Sequence, residues 1–348
     1  VLFVTSPPLA GTCQRLADDL RQRGIAAVIW EHVTHEPDIE MFEAALATGR
    51  EAGADAVVGL GGGSAMDVAK LVAALMGGRQ QIGEVFGIGR LAPRRTFMVC
   101  VPTTAGTGSE ASPNAILLDR ADRLKKGVIS PHLVPDAAYV DPSLTLSVPP
   151  ALTAATGMDA LTHCIEAFVN RFSHPMIDLY ARRGICLIAR HLRRAVADGQ
   201  DMEARTELAM ASLFGGICLG PVNTGAVHAL SYPLGSTFGI AHGIANAVLL
   251  PHVLRFNLPA ASQRYAEVAR AMGIERCGDD MAQAKAGVEA IVRLSRECGI
   301  PQRLADLGIT VNDIEPMAES AMKITRLLER NVRQVRYEDA VAIYREAL

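Results

Sequence analysis

Along the first part of the chain, short apolar runs without polar interruption alternate with stretches of helical period. "VLFVTS" precedes "CQRLADDLRQRGI", "AAVIWEHV" precedes "DIEMFEAALATGREAGA", and "DAVVGLGGGS" precedes "AMDVAKLVAALM". "TFMVCVPTT" follows, and after a polar excursion comes "AAYVDP". Continuous apolar strands separated by helices predict a parallel sheet covered on both faces. Past Asp141-Pro142 the strand runs stop. "PPALTAATGMDALTHCIEAFVN" opens on prolines suited to a helix start. Apolar spacing of helical period continues through residues 176–199, 261–273 and 281–299. The expected fold is an α/β dinucleotide-binding domain with a parallel sheet over residues 1–148, then an all-α metal and substrate domain over residues 149–348.

Composition narrows the function classes. Hydrophobic residues make up 49% and charged residues 20%, a balance that fits packed globular domains. The net charge of −3 with no block of like charges points to neither nucleic acid nor a membrane surface as partner. Seven scattered cysteines, none in a CxxC, read as reduced core thiols and so as a cytoplasmic protein. No signal peptide and no apolar run of spanning length is evident. The chain begins on a strand-like run without Met, so an upstream segment is expected.

Two loops at strand ends are candidate ligand cradles. Gly61, Gly62 and Gly63 let the backbone approach a ligand closely, and the helix behind them offers N–H groups to an anion. The spacing matches neither GxGxxG nor the P-loop, and a plain strand-to-helix turn is the alternative. "PTTAGTGSEAS" follows another buried strand, with hydroxyls at Thr103, Thr104, Thr107 and Ser109. Alone it would pass for an ordinary turn. Both loops are expected at the C-terminal strand ends, where open α/β sheets bind ligands.

A largely apolar segment, residues 225–247, holds His228 and His242. Burying two imidazoles requires partners. Asp159 and His163 stand four apart on a predicted helix, hence on one face. By themselves they would suggest a hydrogen bond or surface contact. With His228 and His242 they make one carboxylate and three imidazoles, a donor set for Fe, Zn or Ni. Pro233, Gly235 and Gly239 are expected to turn the chain so that both later histidines reach one point.

The motifs "GGGSAMDVAK", "PTTAGTGSE", "DPSLT", "TGMDALTHCIEAF" and "HALSYPLGSTFGIAHGIANAVLLPH" run in order through the whole chain. This set resembles the iron-containing (group III) alcohol dehydrogenase family, which shares its fold with dehydroquinate synthase and glycerol dehydrogenase. The resemblance implies Asp159, His163, His228 and His242 as ligands of Fe²⁺, with Zn²⁺ or another divalent ion as alternatives. It implies NAD or NADP held by residues 61–64 (Gly61, Gly62, Gly63, Ser64), Asp67, Thr103, Thr104, Gly106, Thr107, Asn114, Lys125 and Leu144. It also implies hydride transfer between nicotinamide and a small alcohol or aldehyde in an interdomain cleft, with the metal as Lewis acid, and a homodimer. The neighbours Phe168, Leu234 and Phe238 suggest a modest, largely apolar substrate.

Three departures bear on function. The family's residues ahead of the first strand are absent. Ser6 stands where many NAD-preferring members carry an aspartate, so dual use of NAD and NADP is expected. Tyr232 stands where several members have a further histidine, and is the candidate proton relay or pocket wall, with plain packing as the alternative. The rival readings are a maleylacetate reductase-like oxidoreductase, a dehydroquinate synthase-like lyase and a non-catalytic metal-binding protein. The intact ligand set argues against the first, and the lack of basic residues near it against the second.

Overall fold

The fold is taken from a computed structural model and described for residues 1–122 and 124–348. The chain divides into two compact units, one of Val1–Thr104 with Gly108–Leu144, the other of Ala105–Thr107 with Thr145–Leu348.

In the first unit the order is β1 (Leu2–Val4), α1 (Ala10–Gln22), β2 (Val28–Trp30), α2 (Ile39–Glu51), β3 (Ala56–Gly61), α3 (Gly63–Met76) and α4 (Ile82–Val85). Then come β4 (Gly87–Ile88), β5 (Phe97–Pro102), β6 (Asn114–Asp119), β7 (Leu124–Ile129) and β8 (Ala137–Ala138). Five strands form a parallel sheet in the order β2-β1-β3-β5-β8. Alternation sorts its side chains. Leu2, Val4, Val57 and Met98 pack with α2 and α3, while Phe3 and Leu60 pack with Cys13 and Ala17 of α1. The polar excursion contains a feature the apolar pattern did not announce. β6 and β7 form an antiparallel hairpin, and with β4 a second sheet in the order β4-β7-β6.

Lys70 of α3 is fully buried in this unit. Its Nζ lies 2.6–3.4 Å from five oxygens: the carbonyls of Ser109, Ser112 and Asn114 and the hydroxyls of Ser109 and Ser112. Charge-assisted donation of this kind ties α3 to the loop that follows β5.

The second unit holds α5 (Pro150–Phe168), α6 (Pro175–Ala197), α7 (Met202–Leu219), α8 (Ala226–Phe238) and α9 (His242–Ala271). It continues with α10 (Asp280–Glu297), α11 (Ile314–Met322), α12 (Thr325–Leu328) and α13 (Tyr337–Ala347). Among the described residues it contains no strand. Asp201 and Asp279 cap α7 and α10, accepting from the N–H groups of Ala204 and Ala282. Helix α5 is buried around its whole circumference over residues 157–168. A polar side chain on it must therefore find its partner inside the protein. Among the described residues no helix is long and apolar enough to cross a membrane.

The turn between α8 and α9 differs from the expectation. Pro233 and Gly235 lie inside a continuous α8, and the reversal falls at Gly239, whose φ of 68° is the left-handed C-cap conformation glycine favours. A helix can absorb one proline where packing holds its turn, and Pro233 is buried.

Candidate metal centre

Three helices deliver the site. Helix α5 places Asp159, His163 and Glu166 on one face, because offsets of four and seven residues complete whole turns. Helix α8 presents His228 and, one turn on, Tyr232. Helix α9 starts at His242 and presents Asn246 one turn later. Asp159 Oδ1 lies 3.9 Å from His163 Nε2, 3.7 Å from His228 Nε2 and 3.7 Å from His242 Nε2. The His163 and His228 rings are stacked, with centroids 4.7 Å apart.

The arrangement fits a metal on three counts. Two atoms each about 2.1 Å from one ion lie at most ~4.2 Å apart, and the three distances from Asp159 fall inside that limit; the donor atoms of Asp159, His163 and His228 all lie within 4.8 Å of one another, with His242 outside that group. The outward nitrogens of two rings are held: His163 Nδ1 lies 3.3 Å from the Gly106 carbonyl and His228 Nδ1 lies 2.6 Å from Glu166 Oε2. Such partners orient the Nε2 lone pairs inward. The third count is Asn246, fully buried, whose amide nitrogen sits 2.7 Å from Asp159 Oδ1, 3.1 Å from His228 Nε2 and 3.2 Å from His242 Nε2. Its Oδ1 has no hydrogen-bond partner among the described residues. One amide with two hydrogens cannot donate to all three of these atoms at once, so a cation among them has donors to meet.

The electrostatics agree. Burial alone would raise the Asp159 carboxyl, but His163, His242 and His228 together hold it far below the usual carboxylate range. Burial pushes the His163 ring down, against the pull of Asp159. Burial also opposes charge on His228, yet Asp159 and Glu166 outweigh it and raise the ring to about 10. A coordinating imidazole must be neutral, so His228 would hold an ion only after giving up that proton.

Tyr232 is buried, its ring tilted against His242 with centroids 6.1 Å apart, and its Oη accepts from Arg326 Nη2 at 3.1 Å. Phe168 and Leu234 belong to the helical core, and the Arg264 guanidinium covers the Phe168 ring at 3.6 Å. Phe238 is partly exposed.

The first unit holds most of the expected dinucleotide residues. β3 and β5 are neighbours in register from Ala56↔Phe97 to Gly61↔Pro102, and Thr103 N–H donates to the Gly61 carbonyl at 3.0 Å. The two loops therefore emerge side by side at the C-terminal strand ends. Gly61 has φ 156°, and a Cβ there would meet the Ala65 Cβ at 2.8 Å; at Gly62 one would stand 3.5 Å from Thr104 Oγ1. Ser64 lies in the first turn of α3, and Ser6 is half-buried just beyond β1, ahead of a short turn at Pro7–Leu9.

Other expected residues have different company. Asp67 accepts from Ser109 Oγ at 2.6 Å and from the Ile116 N–H at 2.9 Å. Lys125 is buried in an ion pair with Glu36. The Asn114 carbonyl accepts from Lys70. Leu144 is half-buried in the turn Pro142–Thr145. Gly106 and Thr107 belong to the second unit, where the Gly106 carbonyl faces His163.

Two family models match the chain in order: iron-containing alcohol dehydrogenase over residues 1–142, and the C-terminal model of the Fe-containing alcohol dehydrogenase family over residues 153–348. The chain belongs to the iron-containing alcohol dehydrogenase family, and its activity is that of an alcohol dehydrogenase or aldehyde reductase. It is 38% identical over 338 residues to 1,3-propanediol dehydrogenase of Klebsiella pneumoniae, covering 97% of this chain and 87% of that protein. It is 38% identical over 355 residues to long-chain-alcohol dehydrogenase 1 of Geobacillus thermodenitrificans, covering 100% and 89%. The solved alcohol dehydrogenase from Oenococcus oeni superposes with a TM-score of 0.96 at 34% identity, covering 100% of this chain and 92% of that one.

Sequence reasoning passed over Glu166, Asn246 and Arg326. For the first two a signal existed: Glu166 stands three residues after His163, and Asn246 four after His242. For Arg326 there was none, because its partner is 94 residues away.

Proposed function

We propose that this protein is a metal-dependent, NAD(P)-linked dehydrogenase of small alcohols that also works as an aldehyde reductase. The observation that carries the proposal is the convergence of three imidazole nitrogens on Asp159 Oδ1 inside a helical core. Asp159, His163, His228 and His242 would hold the ion, with Fe²⁺ the first choice and Zn²⁺ the second. A divalent ion there supplies Lewis acidity toward an alcohol or carbonyl oxygen.

The remaining work falls to the chain. Glu166 and the Gly106 carbonyl hold two rings in place, so the donor atoms need not reorganise when loaded. Tyr232, whose ring lies against His242, would pass on the proton that leaves the alcohol hydroxyl as hydride departs, and return it in the reverse direction. Oxidation thus yields aldehyde, reduced nicotinamide and one proton. For the dinucleotide we assign the pyrophosphate to Gly61, Gly62, Gly63 and Ser64 at the start of α3, with Thr103 and Thr104 beside it. Asp67 supports this loop through Ser109 and Ile116.

Seven free cysteines support a reducing, cytoplasmic setting. A homodimer rests on the family resemblance, and light scattering at micromolar concentration tests it. The decisive assay is an alcohol and aldehyde panel on Fe²⁺-reconstituted protein with NADH, NADPH and their oxidised forms. Absence of turnover with every pair would sink the proposal.

A further inference from the structure

Contrary to the expectation that basic residues are lacking near the ligands, a cation stands one side chain away from them. Arg326, on the short helix α12, reaches Tyr232 of α8: its guanidinium carbon lies 6.0 Å from the ring centroid, and its Nη2 donates to Oη at 3.1 Å. The same ring lies 6.1 Å from His242. Guanidinium, phenol and imidazole thus form a row whose last member belongs to the metal cluster. Arg326 is half-buried, and among the described residues no carboxylate forms an ion pair with it.

Its neighbour sharpens the point. Arg330, one turn along the chain, likewise has no ion pair; it donates to the Val222 carbonyl at 2.8 Å and covers the Phe172 ring. Burial and then the Arg326 charge push the Arg330 guanidinium down. The two cations are within mutual reach; the exposed Glu329 beside them partly offsets the effect on Arg330 but forms no ion pair with either arginine among the described residues. A phenol oxygen engages only one edge of the Arg326 fork, which can bind a carboxylate through two parallel N–H bonds. Arg94 and Arg264, of similar burial, are neutralised by Asp136 and Asp178, whereas Arg205 and Arg333, like Arg326, donate only to uncharged oxygens among the described residues.

We propose that Arg326, backed by Tyr232, is the subsite for the far end of the substrate, and that it selects short aldehydes and alcohols carrying a terminal carboxylate. This rests on the dehydrogenase reading, which puts the reacting oxygen at the Asp159–histidine cluster. A short carbon chain then spans from the cluster, past the Tyr232 ring, to the guanidinium.

The test compares succinic semialdehyde with butanal on the metal-loaded enzyme, in wild type, Arg326→Gln and Arg326→Lys. Calorimetric binding of gamma-hydroxybutyrate and of butanol, without dinucleotide, accompanies it. Wild type should favour the semialdehyde in kcat/KM by about tenfold or more, mainly through KM. Arg326→Gln should abolish that preference, and Arg326→Lys should keep part of it. Hydroxybutyrate affinity should fall in step, while butanol shows no such dependence. Turnover of both aldehydes at one ratio in all three proteins would overturn the subsite and leave the dehydrogenase reading standing. If no aldehyde is turned over, that reading fails, and calorimetry alone decides the subsite: hydroxybutyrate binding that depends on Arg326 supports it, and indifference overturns it. Should Arg326→Gln weaken NADPH binding without changing hydroxybutyrate affinity, the anion is the cofactor's and the proposal is wrong.

Discussion

Glu166 Oε2 lies 2.6 Å from His228 Nδ1 while Glu166 Oε1 accepts the Val227 N–H at 2.6 Å, so one carboxylate holds both the ring and the backbone beside it. Glu166→Gln keeps an acceptor for Val227 but removes the charge that orients the imidazole. We expect the fold to survive and metal affinity to drop roughly 10–100-fold, read by competition against a chelator. Unchanged affinity would remove Glu166 from the site.

His242 is the outermost of the proposed ligands, with 30% of its side chain exposed against 3% for Asp159. His242→Ala should leave the melting temperature of the metal-free chain nearly unchanged while abolishing metal uptake and turnover. Full activity in a metal-free His242→Ala protein would refute the ligand assignment.

Gly243 sets how closely α9 can approach α5. A Cβ there would meet the Ala155 carbonyl oxygen at 2.3 Å and its carbon at 2.7 Å, both backbone atoms that cannot step aside cheaply. Gly243→Ala should destabilise by about 1–3 kcal/mol in urea titrations and weaken metal binding, because His242 precedes it directly. Wild-type values for both would show that the helices can separate without disturbing the cluster.

At Ser6 an aspartate would hydrogen-bond a ribose hydroxyl and repel a 2′-phosphate. The serine removes that repulsion, and Pro7 and Pro8 stiffen the turn after it. Wild type should use both NADH and NADPH, and Ser6→Asp should lower the NADPH-to-NADH ratio of kcat/KM by about tenfold. A ratio unmoved by the substitution means that Ser6 does not face the ribose.

Glu110 is buried, its Oε2 has no hydrogen bond among the described residues, and burial raises its carboxyl from 4.5 to about 7. Below 4.5 both folded and unfolded chains carry the proton, and the group costs nothing through ionisation. As pH climbs toward 7 the unfolded chain ionises while the native one does not, so stability is lost progressively. Glu110→Gln should therefore gain on wild type across that window, by on the order of 3 kcal/mol at its top. A pH-independent difference in urea-derived stability would contradict this.

The sheet was legible because its strands are apolar on both faces, which only a doubly covered parallel sheet requires. The β6–β7 hairpin was not: Asp119, Lys125 and Lys126 interrupt the apolar pattern, and each is satisfied by another charged side chain. The Lys125 partner, Glu36, is 89 positions away, a contact no local pattern announces. In the helical unit, Asp159 and His163 declared themselves by spacing, and His228 and His242 by standing in apolar sequence. Glu166 escaped notice because a helix glutamate ordinarily faces water, whereas α5 has no wet side over residues 157–168. Pro233 and Gly235 misled for the same kind of reason: local propensity marks them as breakers, and packing keeps α8 intact through both.

The oxygen cage around Lys70 makes that amine a chemical clock. The chain has only five lysines, and an acylating reagent can reach a lysine only when its nitrogen is exposed and unprotonated. Lys70 cannot meet reagent until α3 parts from the loop carrying Ser109 and Ser112. Its labelling rate, followed by mass spectrometry, would time the opening of the N-terminal unit separately from that of the helical one, and a dinucleotide seated at the start of α3 should slow it.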